Sequence, residues 1–75
     1  MDLFDHMQTF VRVVEAGSIT AAAESLEVAK SAVSRRLADL EARLGAQLFR
    51  RTTRRLSLTD TGQGYYERCI RILAD

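Results

Sequence analysis

A mainly α fold with one small β-hairpin is what this 75-residue sequence predicts, and three observations carry it. Apolar residues recur at helical spacing in three segments before residue 45. The pattern then changes to two short, nearly alternating runs around a polar tip. A fourth helical segment follows a capping sequence and reaches the last residue.

The first helix is expected from about Asp2 to Ala16, because Leu3, Phe4, Met7, Phe10, Val11 and Val14 lay one apolar stripe along it. Gly17 supplies its stop, and Ser18 or Thr20 can cap a short second helix over about 20–26, where three alanines favour helix and permit close packing. Glu27-Val28-Ala29 is a brief connector. Val33, Leu37, Leu40 and Leu44 then recur at i, i+4, i+7 and i+11, which gives a third helix over about 31–44, ended by Gly45. "QLFRR" and "RRLSL" read as antiparallel strands, and the absence of glycine between them predicts a loop longer than the tight two-residue turns. Thr59 or Asp60 can cap the last helix, which reads as cut in mid-helix. Two helices joined by a three-residue turn and followed by a basic hairpin make a winged helix-turn-helix: a three-helix core, a small hairpin wing and a further C-terminal helix.

Composition bounds the function. Hydrophobic residues at 47% and charged residues at 28% are ordinary globular values. A single cysteine, Cys69, forms no internal disulfide, so a reducing compartment, most simply the cytoplasm, is expected. No apolar run reaches the roughly 18 residues that span a bilayer, and the start "MDLFDHM" carries acids where a signal peptide carries basic residues. A membrane partner is therefore not expected.

The formal net charge of +1 conceals an asymmetry. Residues 1–29 set Arg12 against Asp2, Asp5, Glu15, Glu24 and Glu27, a net −4. Residues 30–55 set Lys30, Arg35, Arg36, Arg43, Arg50, Arg51, Arg54 and Arg55 against Asp39 and Glu41, a net +6. A localised field of that sign attracts a polyanion.

With Val33, Leu37 and Leu40 turned to the core, the third helix presents Lys30, Ser31, Ser34 and Arg35 outward near its N-terminus. Lys30, Arg35 and Arg36 lie where the helix dipole disfavours cations, a placement that makes sense when phosphates supply the opposite charge. An α-helix fits the major groove of B-DNA, where Arg35 can take guanine through two hydrogen bonds or grip a phosphate, and Ser31 and Ser34 can bond to either. The alternative is a solvated polar face on a core helix. In the hairpin, "RRTTRR" groups four guanidinium groups around a polar tip. Arg54 is the first candidate for a groove or phosphate contact, Arg51 the next, and Thr52 and Thr53 add hydroxyl donors; Arg50 and Arg55 can instead pair with acids of the first two helices. The alternative there is a solubilising basic loop.

These residues resemble a family. "FVRVVEAGSITAAAESLEVAKSAVSRRLADLEARLGAQLFRRTTRRLSLTDTGQGYYERC" is similar to the DNA-binding domain of LysR-type transcriptional regulators over essentially the whole chain. The resemblance implies that residues 1–58 form a sequence-specific, double-stranded DNA-binding domain and that 59–75 begin a linker helix. It implies major-groove contacts from the positions of Lys30, Ser31, Ala32, Ser34 and Arg35, a minor-groove or backbone contact from Arg54, and phosphate contacts from Ser18 and Thr20. It further implies a homodimer on a pseudo-palindromic operator, paired through the last helix, and a separate C-terminal domain that takes a small-molecule effector. Tyr65, Tyr66, Cys69, Ile70, Ile72 and Leu73 are too many apolar groups for one helix face, so part of the set packs on the domain and part covers a partner. Family members often have Ser or Thr before a Gln-Pro pair at the start of the third helix. This chain has Ala29-Lys30-Ser31, which costs that helix about 1 kcal/mol unless Ser31 caps it. Lys30 also replaces an amide suited to adenine by a point charge suited to guanine or phosphate.

Catalysis is not expected. His6, read as a surface or half-buried residue, has no Cys or His at ligand spacing, Cys69 has no histidine partner, and no glycine-rich phosphate loop is present. No metal or cofactor follows. A rival from another class is a winged-helix module whose basic patch binds an acidic protein. RNA binding would call for exposed aromatic rings, and all five aromatic residues fall on apolar positions of the pattern.

Overall fold

The computed structural model describes residues 3–51 and 56–74, with the side chain of Arg51 excepted. The order is α1 (Leu3–Ala16), α2 (Ile19–Leu26), α3 (Lys30–Leu44), β1 (Phe49–Arg51), β2 (Leu56–Leu58) and α4 (Asp60–Ala74). β1 and β2 pair antiparallel with Phe49 opposite Leu58, Arg50 opposite Ser57 and Arg51 opposite Leu56. The loop between them, for which the sequence predicts more than a two-residue turn, lies outside the described residues.

Helix α1 is the centre of the packing, touching α2, α3 and α4. Phe10 is its hub: fully buried, it holds Phe49 of the wing edge-on at 5.4 Å between ring centroids, Tyr65 of α4 at 5.4 Å and Tyr66 at 6.5 Å. These rings join the wing and α4 to the helical core, beyond the area they bury. Val13, Ala22, Val33, Leu40, Leu48 and Cys69 complete the fully buried set.

Because α1 has neighbours on several sides, its buried arc is wider than its apolar stripe. His6 and Thr9, off the stripe, are 2% and 1% exposed. His6 is thus buried, not on the surface; its Nε2 lies 3.7 Å from Asp39 Oδ2 on α3. Thr9 donates its hydroxyl to the Asp5 carbonyl at 2.9 Å, one turn back. Conversely, Leu3 and Phe4 extend past the covering elements and stay 43% and 49% exposed. Phe4 therefore departs from the reading that placed every aromatic ring on the apolar side.

The helix ends follow capping chemistry. Ser18, not Thr20, caps α2, its Oγ accepting the Ala21 N–H at 3.0 Å. Glu27 closes α2 in the left-handed region at φ 59°, and the Val28 N–H bonds back to the Ala23 carbonyl at 3.1 Å, which turns the chain sharply into α3. Thr59 caps α4, its Oγ1 accepting the Gly62 N–H at 2.9 Å, while Asp60 sits in the first turn, where a carboxylate favours the dipole. Among the described residues no helix is long and apolar enough to cross a membrane.

Candidate nucleic-acid interface

The chain places α3 by burying Val33, Leu37 and Leu40 against α1 and α2. Lys30, Ser31, Ser34 and Arg35 are consequently exposed on its first two turns, with Ala32 half-buried beside them. Four of the polar side chains singled out from the pattern thus share one open face. Arg36 does not belong to it. One residue further round the helix, it is half-buried, and its guanidinium Nη1 donates to Thr9 Oγ1 on α1 at 3.2 Å. Arg36, also expected to contact DNA, is thus engaged in part by α1, because the 100° step per residue carries it from the solvent side toward Thr9.

The N-terminus of α3 carries no side-chain cap. Ala29 occupies the cap position, and Ser31 lies inside the helix, so the rescue of the cap by Ser31 does not occur. Backbone N–H groups there open toward the same side as a helix dipole's positive end. At the neighbouring helix, Ser18 is half-buried and engaged as a cap through its oxygen lone pair; its hydroxyl hydrogen still has a donor's capacity. Thr20 is exposed in the first turn of α2.

The base of the wing is built by Glu41, which the sequence pattern did not single out, together with Thr59 and Arg50, for which it suggested other partners. Glu41 of α3 reaches the start of β1: its Oε2 accepts the Leu48 N–H at 2.7 Å and the Phe49 N–H at 3.3 Å. Thr59 holds the other side, donating its hydroxyl to the Gln47 carbonyl at 2.7 Å and its N–H to the Leu48 carbonyl at 3.0 Å. Arg50 crosses the hairpin, its Nε donating to the Leu58 carbonyl at 3.3 Å rather than meeting an acid of α1 or α2. The only sequence signal for Glu41 was negative charge amid a basic segment, which reads equally as a solvated residue. Thr53 and Arg54, and the side chain of Arg51, lie outside the described residues.

On α4, Cys69 is fully buried in this chain's own core, so of the set divided between the domain and a partner it falls to the domain and not to an interface. Tyr65, Tyr66 and Leu73 are half-buried against the same core, whereas Ile70 and Ile72 are 39% and 55% exposed. Burial first, then the neighbouring Cys69, pushes the Tyr65 phenol from its ordinary 10.0 up to about 12. Burial also raises the Cys69 thiol, against the opposing effect of the hydrogen bond with Tyr65. Such a thiol is a poor nucleophile.

Comparison with known proteins bears on this geometry. The model of the bacterial regulatory helix-turn-helix proteins of the lysR family matches residues 4–63. The chain is 52% identical over 69 residues to an HTH-type transcriptional repressor of Pseudomonas aeruginosa, a match covering 92% of this chain and 22% of that protein. It therefore spans about a fifth of that relative's length. Its backbone is similar to the BenM DNA-binding domain in a crystal structure with benA site 1 DNA, with a TM-score of 0.92 and 38% identity over 99% of this chain and 82% of that one. It is equally similar to the CbnR DNA-binding domain in a DNA complex, with a TM-score of 0.90 and 38% identity over 99% of this chain and 84% of that one.

Proposed function

This chain belongs to the lysR family of bacterial regulatory helix-turn-helix proteins, and from that premise we propose that it reads an operator in double-stranded DNA for a longer transcriptional regulator. The observation that carries the proposal is the exposed face of Lys30, Ser31, Ser34 and Arg35 on the first two turns of α3. In the major groove, Arg35 supplies a fork of donors for guanine or a phosphate, Lys30 a point charge, and the two serines short groups that donate or accept. Ser18 and Thr20 at the start of α2 touch the flanking phosphates, as N–H groups and hydroxyls at helix N-termini do. The wing, through Arg54, Arg51 and Thr53, lies on the minor groove or backbone beside it. Relatives with DNA-complex structures support the class of partner.

Two copies bind one pseudo-palindromic site, so that half-site spacing mirrors the two-fold axis of the protein. Ile70 and Ile72 are the apolar groups of α4 left open for the second copy.

Selection of bound sequences from random duplex DNA tests this reading, with a salt titration of the selected duplex beside it. A recovered inverted repeat and a linear fall of log affinity with log salt, about 0.9 per phosphate neutralised, are expected. Recovery of no preferred sequence would remove the operator-reading role. Preference for an acidic protein over any duplex would transfer the basic face to a protein partner.

A further inference from the structure

Glu41 gathers four backbone N–H groups. Its main-chain carbonyl accepts those of Gly45 and Ala46 at 2.9 and 3.3 Å, which closes α3, and its carboxylate accepts those of Leu48 and Phe49, which starts β1. Leu48 and Phe49 are 0% and 5% exposed, so their amides have little access to water in place of the carboxylate. Strands β1 and β2 have three residues each, too few to fix their own orientation. The direction in which the wing projects is therefore set by what grips its base: besides the packing of Phe49 on Phe10, two hydrogen-bonding groups hold it, Thr59 from the start of α4 on the carbonyls of Gln47 and Leu48, and Glu41 from α3 on the amides of Leu48 and Phe49. Of these two, Glu41 alone lies on the helix that carries the exposed Lys30, Ser31, Ser34 and Arg35 face.

We propose that Glu41 is a positioning residue for DNA binding, fixing the wing relative to α3 so that both engage one duplex. The inference rests on the DNA-binding function proposed for the α3 face. Glu41 touches no base or phosphate itself; its carboxylate faces the protein's own amides. Its removal releases the wing, while the recognition face stays in place because Val33, Leu37 and Leu40 hold α3 on α1 and α2. A glutamine keeps an acceptor oxygen in the place of Oε2, which takes both amides, but without the negative charge that strengthens those bonds, so it restores part of the grip.

The test is anisotropy titration of the selected operator duplex across a salt series, using the 75-residue chain, Glu41→Ala, Glu41→Gln, the pair Arg51→Ala with Arg54→Ala, and the triple variant. Circular dichroism at the titration temperature establishes the folded fraction of each. Glu41→Ala should weaken binding about tenfold and lower the salt slope by roughly 0.9 for each phosphate that the wing no longer neutralises, with Glu41→Gln between it and the parent. In the arginine-pair background, Glu41→Ala should add less than about a twofold loss, since both act through the wing. The proposal is overturned when Glu41→Ala weakens binding only in proportion to its folded fraction with an unchanged slope, or when its loss multiplies in full with that of the arginine pair. Should Glu41→Ala be unfolded, Glu41→Gln takes its place in the same cycle, under the same two criteria. An arginine pair that binds like the parent removes the wing from DNA binding and this role for Glu41 with it, and a parent that binds no duplex marks failure of the underlying reading instead.

Discussion

Gly62, in the first turn of α4, packs so closely on the backbone of Leu48 that a β-carbon there would overlap the Leu48 carbonyl oxygen and meet Leu58 at 3.1 Å. The same carbonyl accepts the Thr59 N–H, so the entry to the wing and the start of α4 are one joint.

Gly62→Ala is accordingly expected to destabilise the fold by about 1 to 3 kcal/mol, the usual cost of forcing atoms into a packed site. Gly64→Ala, two residues on with nothing within 4 Å, should instead stabilise by about 0.5 to 1 kcal/mol as a helical glycine is replaced. Urea denaturation of the two variants separates these outcomes. Equal midpoints would show that α4 lifts off Leu48 without cost.

The two helices of the helix-turn-helix differ in their caps, and their responses should differ in sign. Ser18→Ala removes the acceptor of the Ala21 N–H and should cost about 1 kcal/mol, whereas Ala29→Ser gives α3 the cap it lacks and should gain up to about 1 kcal/mol. Thermal unfolding followed by circular dichroism reads both. A lowered midpoint for Ala29→Ser would mean that the first turn of α3 has no room for a capping side chain.

Arg35 and Arg36 are adjacent in sequence, one exposed to solvent and the other half-buried against Thr9 of α1. Arg35→Ala should weaken a specific duplex by about 1 to 3 kcal/mol and relax discrimination at one base pair, with stability unchanged. Arg36→Ala, which removes a donor to the buried Thr9 oxygen, should cost about 1 kcal/mol of stability and leave the ranking of duplexes as it was. Equal weakening of specific and random duplexes by Arg35→Ala would make it a phosphate contact only.

Alkaline pH should weaken the fold through α4. Burial raises both Tyr65, to about 12, and Cys69 above their ordinary values of 10.0 and 9.0, so the folded chain keeps protons that the unfolded chain gives up. The stabilisation is whole below the unfolded-chain values and is lost as pH rises through about 9 toward 12. Urea midpoints should fall over that window, less steeply in Cys69→Ala. A flat profile would show that neither group is protected from ionisation by folding.

Helix α3 was legible because its core positions, Val33, Leu37 and Leu40, repeat strictly, and one such stripe fixes which polar residues face away. That stripe does not resolve Arg36, which sits at its edge, where a difference of one residue turns the side chain from solvent toward Thr9. The stripe of α1 also left His6 on the surface or half-buried, since a single stripe cannot report that α1 is covered on several sides. On α4, the apolar residues could be listed from the sequence but were divided only by packing: Cys69 inward, Tyr65, Tyr66 and Leu73 at the margin, Ile70 and Ile72 outward.

By itself the sequence determined the element order, the glycine that ends α3, the polar character of the exposed face of α3 and the segregation of positive charge into residues 30–55. These depend on periodicity and local chemistry, which neighbours along the chain carry. Only the tertiary structure decided that Ser18 rather than Thr20 caps α2, that Gly62 must be bare against Leu48, and that Glu41, an acid among arginines, holds the wing. The last two depend on groups 14 and seven residues apart that lie on different elements and meet only in space, where the periodicity of any one element says nothing.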